Sequence, residues 1–199
     1  MVMTYDFISK MMLVKQLKLE KGNISFFNDR FVMMPSSLIS NLQQQVDNQL
    51  PQQIYNVSKD VGFKNFSNTL KAGVSMNRTE YMGLIFNLLN SHGDGIYNID
   101  SIDFAKMQAI VSLDGSAVAS NYGKTKHPVD HVARGMLAGA FSLLFNEPNI
   151  EALEHQCLAS GDKECSFLIK KRETFDKNSD LFKYQLAVSQ PNQRGHFWW

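Results

Sequence analysis

Residues 127–171 read HPVDHVARGMLAGAFSLLFNEPNIEALEHQCLASGDKECSFLIKK, and both cysteines of the chain, Cys157 and Cys165, lie in this stretch. Its first part, Val129 to Phe145, is an apolar run long enough for a helix, with Gly135 and Gly139 four residues apart. Glycine at that spacing removes the side chains that hold a helix away from its neighbour, so one side of this helix is expected to pack closely inside the domain, with a helix–helix dimer seam as the alternative. The second part reads as a β-hairpin. One strand ends near Cys157, Ser160-Gly161-Asp162 turns the chain, and Cys165 to Ile169 returns. A Gly-Asp turn between apolar runs is a hairpin signal. The hairpin brings the two cysteines together, with Glu154 three residues before the first.

Working outward, Asp114 to Lys126 is small and polar and reads as a loop with one helical turn. Before it, Ile96 to Phe104 and Lys106 to Leu113 are strands. The second alternates Met107, Ala109, Val111 and Leu113 with other residues, as a half-buried strand does. Further upstream, a helix runs from Thr79 to Gly93. Another starts at Pro51 with Ile54, Val57, Val61, Phe66 and Leu70 as its apolar stripe, weakened by Gly62 and ended by Gly73. A third opens at Pro35-Ser36-Ser37, with Ser36 or Ser37 as N-cap and Leu38, Leu42, Val46 and Leu50 on one face. The chain begins with a short helix or arm over 1–12, then a three-stranded meander: Leu13 to Glu20, Ile24 to Phe27 and Arg30 to Met34. After the hairpin, Arg172 to Ala187 fits a surface helix. The order is strands, helices, strands, helix, strands. It specifies an α+β fold, an antiparallel sheet with helices packed on one face. One domain is expected over 1–188, followed by a polar tail, 189–199, ending His196-Phe197-Trp198-Trp199.

Composition narrows the function. The 199 residues are 44% hydrophobic with fourteen Phe, enough for a sizeable core in one domain. Twenty basic and nineteen acidic residues leave a net charge of +1, which offers no nucleic-acid surface. No run approaches the length of a membrane span. Two cysteines and no signal peptide fit a cytoplasmic protein with reduced thiols. Neither a phosphate-cradling GxxxxGK[ST], nor GxGxxG after a strand, nor a GxSxG elbow is present. No nucleophile–base pair stands out, so the reading leans away from an enzyme.

A Cys-x7-Cys pair alone is more often two buried thiols than a metal site. The hairpin changes that balance, because cross-strand sulfurs can converge on one ion. Tetrahedral zinc then needs two more ligands, and Glu154, Asp130, His131, His127 and His155 are nearest in sequence. One geometric condition applies. Residues three apart in a regular strand point to opposite faces, so Glu154 and Cys157 can share an ion only if the strand bends or bulges between them.

The set His127-Pro128-Val129, Gly135-xxx-Gly139 and Glu154-x-x-Cys157-x3-Gly161-Asp162-x-x-Cys165-x-Phe167-x-Ile169 resembles the vinyl-4-reductase domain. KGNISFFNDRFVMMP, residues 21–35, is similar to that family's opening hairpin. The likeness spans Gly22 to Ile169 and is sharpest over 127–171. The family is a small-ligand-binding domain, found in bacteriochlorophyll-synthesis proteins, in sensors of aromatic compounds and as freestanding archaeal proteins. It is similar in fold to subunits of the TRAPP vesicle-tethering complex. The resemblance implies a freestanding archaeal member and a homodimer. It also implies a structural zinc held by Glu154, Cys157 and Cys165. The family's remaining ligand, a cysteine, aligns with Asp130, and His131 is one residue along. An apolar cavity between helices and sheet is implied too, with Phe63, Phe66, Leu84, Phe104 and Met107 as candidate lining residues. The function expected is therefore a module holding a hydrophobic or aromatic small molecule, without a nucleic-acid partner or a membrane span. The alternatives are an enzyme or enzyme partner in tetrapyrrole vinyl-group reduction, and a TRAPP-like assembly adaptor. The terminal Phe197-Trp198-Trp199 is expected to dock in an apolar groove of the domain or its dimer partner.

Overall fold

A computed structural model describes residues 3–26, 29–45, 50–71 and 77–186. The tail, with Phe197, Trp198 and Trp199, and the expected helix end at Gly73 lie outside these residues, as do Phe27 and Val46. Helix α1 (Met3–Leu13) precedes the meander β1 (Leu17–Glu20), β2 (Asn23–Phe26) and β3 (Asp29–Phe31). The first strand starts four residues later than the pattern suggests. Lys15, at φ 57, caps α1 in the left-handed region, and the Gln16 N–H closes on Met11 O at 2.9 Å. Val32, Met33 and Met34 fall outside β3, whose last pairing is Phe31 with Ile24, close to the start of β2 after the turn at Gly22 (φ 75). Met33 is left 84% exposed.

Helices α2 (Ser36–Gln45), α3 (Leu50–Lys71) and α4 (Arg78–Ser91) follow. Ser36 is already helical, so the expected serine N-cap is not formed as read. The apolar stripe of α2 does not face inward as expected, and that of α3 does so only in part, at Phe66. On α2, Leu38 and Leu42 are exposed and Ser40 and Gln43 are buried. The reason lies in the partner, α5 (Ala117–Tyr122), which presents backbone carbonyls that need donors. Ser40 Oγ donates to Val118 O at 3.0 Å, and Gln44 Nε2 donates to Tyr122 O. On α3, Val57 and Val61 are exposed, and the buried side is Gln52, Tyr55, Gly62 and Phe66. Helix α4 is closed at its start by a capping box between Asn77 and Glu80.

That inward side of α3 lies on α6 (His131–Phe145), backbone against backbone. A Cβ at Gly135 would fall 2.5 Å from Tyr55 O, and one at Gly139 would meet Lys59 O and lie 2.5 Å from Phe63 N. Gly62 returns the contact, 2.9 Å from Met136 O on the same construction. Contacts advance together along both helices, so they run parallel. The glycine face is thus spent inside the chain, and Gly62, read as a weak point of its helix, is part of the seam. Helix α6 ends at Asn146 (φ 52).

The main sheet has the order β4-β5-β7-β6, antiparallel throughout: β4 (Ile96–Asp103), β5 (Gln108–Asp114), β6 (Ile150–Gln156) and β7 (Cys165–Lys171). Register rows Ala109–Ile169–Ala152 and Val111–Phe167–Glu154, with Leu113–Cys165 beside them, define its core face. Phe141, Leu137, Val111, Leu113, Phe167 and Ile169 are fully buried between sheet and helices. Burial of each such side chain contributes on the order of 1.5–3 kcal/mol. Helix α7 (Asp180–Leu186) closes the described chain against β6. Among the described residues, no helix is long and apolar enough to cross a membrane.

Candidate metal centre

Glu154 and Cys157 satisfy the geometric condition through a bulge. Glu154 pairs with Phe167 and Gln156 with Ser166, leaving His155 as the extra residue of β6. The bulge moves Gln156 to the side of Ser166 and returns Cys157 to the core face that Glu154 and Cys165 share. After Cys157 a 3-10 turn, Leu158–Ser160, reverses the chain. Gly161 takes φ 100, which favours glycine. Asp162 Oδ2 accepts from the Cys157 N–H at 2.8 Å, fixing the first cysteine to the turn.

The ligand atoms of Glu154, Cys157 and Cys165 lie within 4.8 Å of one another, and all three residues are buried. Asp130 borders them from the start of α6. Its N–H donates to Glu154 Oε2 at 2.9 Å, and its carboxylate bonds the Cys165 thiol. Ser116 Oγ donates to Asp130 Oδ1 at 2.7 Å while capping α5. Sequence reasoning missed Ser116, whose only mark was its place before a short helical turn. Asp130 Oδ2 and Glu154 Oε1 are buried without a conventional hydrogen-bond partner. His131 is buried on the first turn of α6, and Nδ1 lacks a partner. It stands outside the Glu154–Cys157–Cys165 group. Of the other imidazoles, His127 stacks on Tyr184 at 4.4 Å and His155 meets Ser166 Oγ at 3.1 Å.

The electrostatics suit a cation. Burial pushes the Asp130 and Glu154 carboxyls up from the ordinary carboxylate range. The bond between the thiols pulls Cys157 down and holds the proton on Cys165, so the pair ionises first at Cys157. Backbone N–H groups of Val129 and Ala159 also favour the Cys157 thiolate, and the Leu158 N–H donates to Cys165 Sγ at 3.3 Å. Burial pushes His131 down, which keeps its imidazole neutral. The cluster therefore holds protons at positions where a divalent cation would replace them. Arg134, 1% exposed on α6, adds one positive charge near Glu154. Two thiols and the Glu154 carboxylate converge as three donors of the kind a tetrahedral metal takes, and Asp130, which borders them, stands outside that group as His131 does.

The apolar candidates fall at two places. Phe66 is in the core, where its carbonyl accepts from Tyr81 Oη at 2.9 Å, and Phe63 flanks the glycine seam. Phe104 and Met107 sit in the β4–β5 turn and pack, like Leu84, on the core from half-buried positions. Phe104 meets Phe145 edge-on at 5.7 Å, with the Arg78 guanidinium 4.9 Å over its ring. A row the sequence reading missed continues from there through Phe145 and Phe141 to Phe86, at 5.4 and 6.3 Å.

Residues 109–171 match the family model of the vinyl-4-reductase domain. This segment contributes β5, α5, α6, β6 and β7. Among solved structures, the phenol-responsive sensory domain of the transcription activator PoxR, crystallised with phenol, aligns at TM-score 0.76 and 17% identity, covering 96% of this chain and 100% of that one. A vinyl-4-reductase family protein from Methanocaldococcus jannaschii aligns at TM-score 0.45 and 16% identity, covering 72% and 83%. A trafficking protein particle complex subunit 3 from Naegleria fowleri, covalently bound to palmitic acid, aligns at 0.47 and 9%, covering 68% and 89%. None of the curated proteins matches. The α+β fold with antiparallel sheets is the fold of the first of these neighbours.

Proposed function

We propose that this chain, which carries a vinyl-4-reductase domain over residues 109–171, is a binding module for a small apolar or aromatic molecule, pinned by a structural zinc ion. One observation carries the reading: the fold is shared, over 96% of the chain, with a sensory domain crystallised with phenol. The aromatic row Phe86, Phe141, Phe145 and Phe104, between α4, α6 and the β4–β5 turn, is where rings meet edge to face or at a tilt, and an aromatic guest that entered there would find partners of its own kind. Metal bound by Cys157, Cys165, Glu154 and Asp130 would cross-link the final hairpin to the start of α6. Four protein ligands leave no open coordination position, which supports a structural role. Arg134 compensates part of the negative charge, and Ser116 holds Asp130 in place.

The pairing of two copies would cover exposed apolar side chains of the N-terminal segments, among them Leu13 at 81%, Val32 at 75% and Met33 at 84% exposure. Gly135 and Gly139 do not serve that purpose, since α3 occupies them. The reading is tested by calorimetric titration of the zinc-loaded chain with phenol and larger aromatic hydrocarbons. Saturable binding with a negative heat-capacity change is the expected result. No heat and no thermal shift with any member of the series overturns it.

A further inference from the structure

Helix α7 has seven residues, too few to persist without tertiary support. Phe182 and Leu186 are buried beneath it, and Arg172 Nη2 donates to Leu186 O at 2.5 Å. The most specific tie is Gln185, 2% exposed. Strand β6 is an edge of the main sheet, so its outward N–H and C=O groups need partners. Ala152 N–H goes to Tyr55 Oη at 3.2 Å. Both outward groups of Glu154 go to Gln185: the N–H donates to Oε1 at 2.9 Å, and the carbonyl accepts from Nε2 at 2.7 Å. One carboxamide thus takes the place of a neighbouring strand at the residue of β6 whose side chain enters the metal cluster. Gln185 Oε1 also accepts from Arg134 Nη1 at 2.5 Å. Arg134 belongs to α6, the helix that begins beside Asp130.

We propose that Gln185 is a positioning residue for Glu154, and that docking of α7 and occupancy of the metal site favour each other. The proposal rests on the metal reading above. Gln185 touches both halves of the cluster, the strand that presents Glu154 and the helix that follows Asp130. Displacing α7 removes both bonds to the Glu154 peptide and strips Arg134 of its acceptor. A metal that fixes the Glu154 carboxylate fixes the peptide that Gln185 reads. Linkage then requires the effect to run equally in both directions.

The test uses the full chain and Zn²⁺ itself. Zinc affinity is measured by competition with a chromophoric chelator, and hydrogen exchange is followed over 180–186 with and without zinc. The wild-type chain should bind zinc and exchange more slowly in α7 when loaded. Gln185→Met, which keeps the bulk and loses every bond, should bind roughly 10–100-fold more weakly and lose the zinc-dependent protection. Gln185→Glu keeps an acceptor for Arg134 and the Glu154 N–H but not the donor to Glu154 O, so part of the affinity should return. It also carries the comparison if Gln185→Met does not fold. Equal zinc affinity in wild type and variants, or exchange in α7 indifferent to zinc, overturns the proposal while leaving the metal site standing. A wild-type chain that takes no zinc ends both, and the wild-type titration alone distinguishes that case.

Discussion

Glu154 and Cys157 face the same side of β6, although three positions separate them, because His155 is the extra residue in the ladder with β7. The bulge makes the metal centre a property of backbone register as much as of ligand identity. Deleting His155 and Gln156 together should make Glu154 and Cys157 neighbours in a regular strand and turn one of them away from the core face. Zinc stoichiometry should fall to near zero in a chain that retains its thiols. Full zinc occupancy in the deletion variant would show that the face on which the strand places these two residues does not decide the site.

Metal removal should act on stability. Structural metal binding is folding free energy, so chelator treatment is expected to lower the melting temperature, and re-addition of zinc to restore it. Cys157→Ser should behave like the chelated wild type and be insensitive to zinc. Because protons compete for the thiols and for carboxyls already raised by burial, zinc affinity should weaken as pH falls. An unchanged melting curve with and without chelator would contradict this.

Ser116→Ala should cost about 1–3 kcal/mol, since it leaves Asp130 Oδ1 buried without its donor and removes the cap of α5. Denaturant midpoints report the loss, and zinc competition reports whether Asp130 is mispositioned. A neutral effect on both would remove Asp130 from the ligand set.

At the glycine seam, Gly139→Ala should destabilise by about 1–3 kcal/mol, because its Cβ meets backbone atoms of α3. Gly83→Ala serves as the control, since nothing lies within 4 Å of its Cβ. Equal stability of the two variants would show that the helices part without cost.

The sequence was most legible where local pattern and tertiary environment agree. Apolar alternation at Ala109, Val111 and Leu113 and the Gly161-Asp162 turn marked strand and hairpin, since each needs only neighbours in the chain. The expected stripes Leu38–Leu42 and Val57–Val61 failed because the partners of α2 and α3 are backbone. Carbonyls of α5 select Ser40, and the glycine seam selects Tyr55 and Gly62, none of which raises apolar periodicity. At the site, Cys157, Cys165 and Glu154 were visible from spacing and resemblance. Ser116, Arg134 and Gln185 were not, because each joins through a contact distant in sequence, with no local motif. The aromatic row was missed for a similar reason: Phe86, Phe141 and Phe145 read as ordinary core until Phe104 is seen to continue them.

Native mass spectrometry of freshly purified protein, paired with elemental analysis, bears most directly on the account. A chain carrying about one zinc equivalent, as a four-ligand site requires, and a further mass lost when apolar ligand is extracted, is the result predicted. A chain at its bare sequence mass, with both thiols titrating freely in the native state and no mass gained on incubation with phenol or larger aromatics, would contradict it.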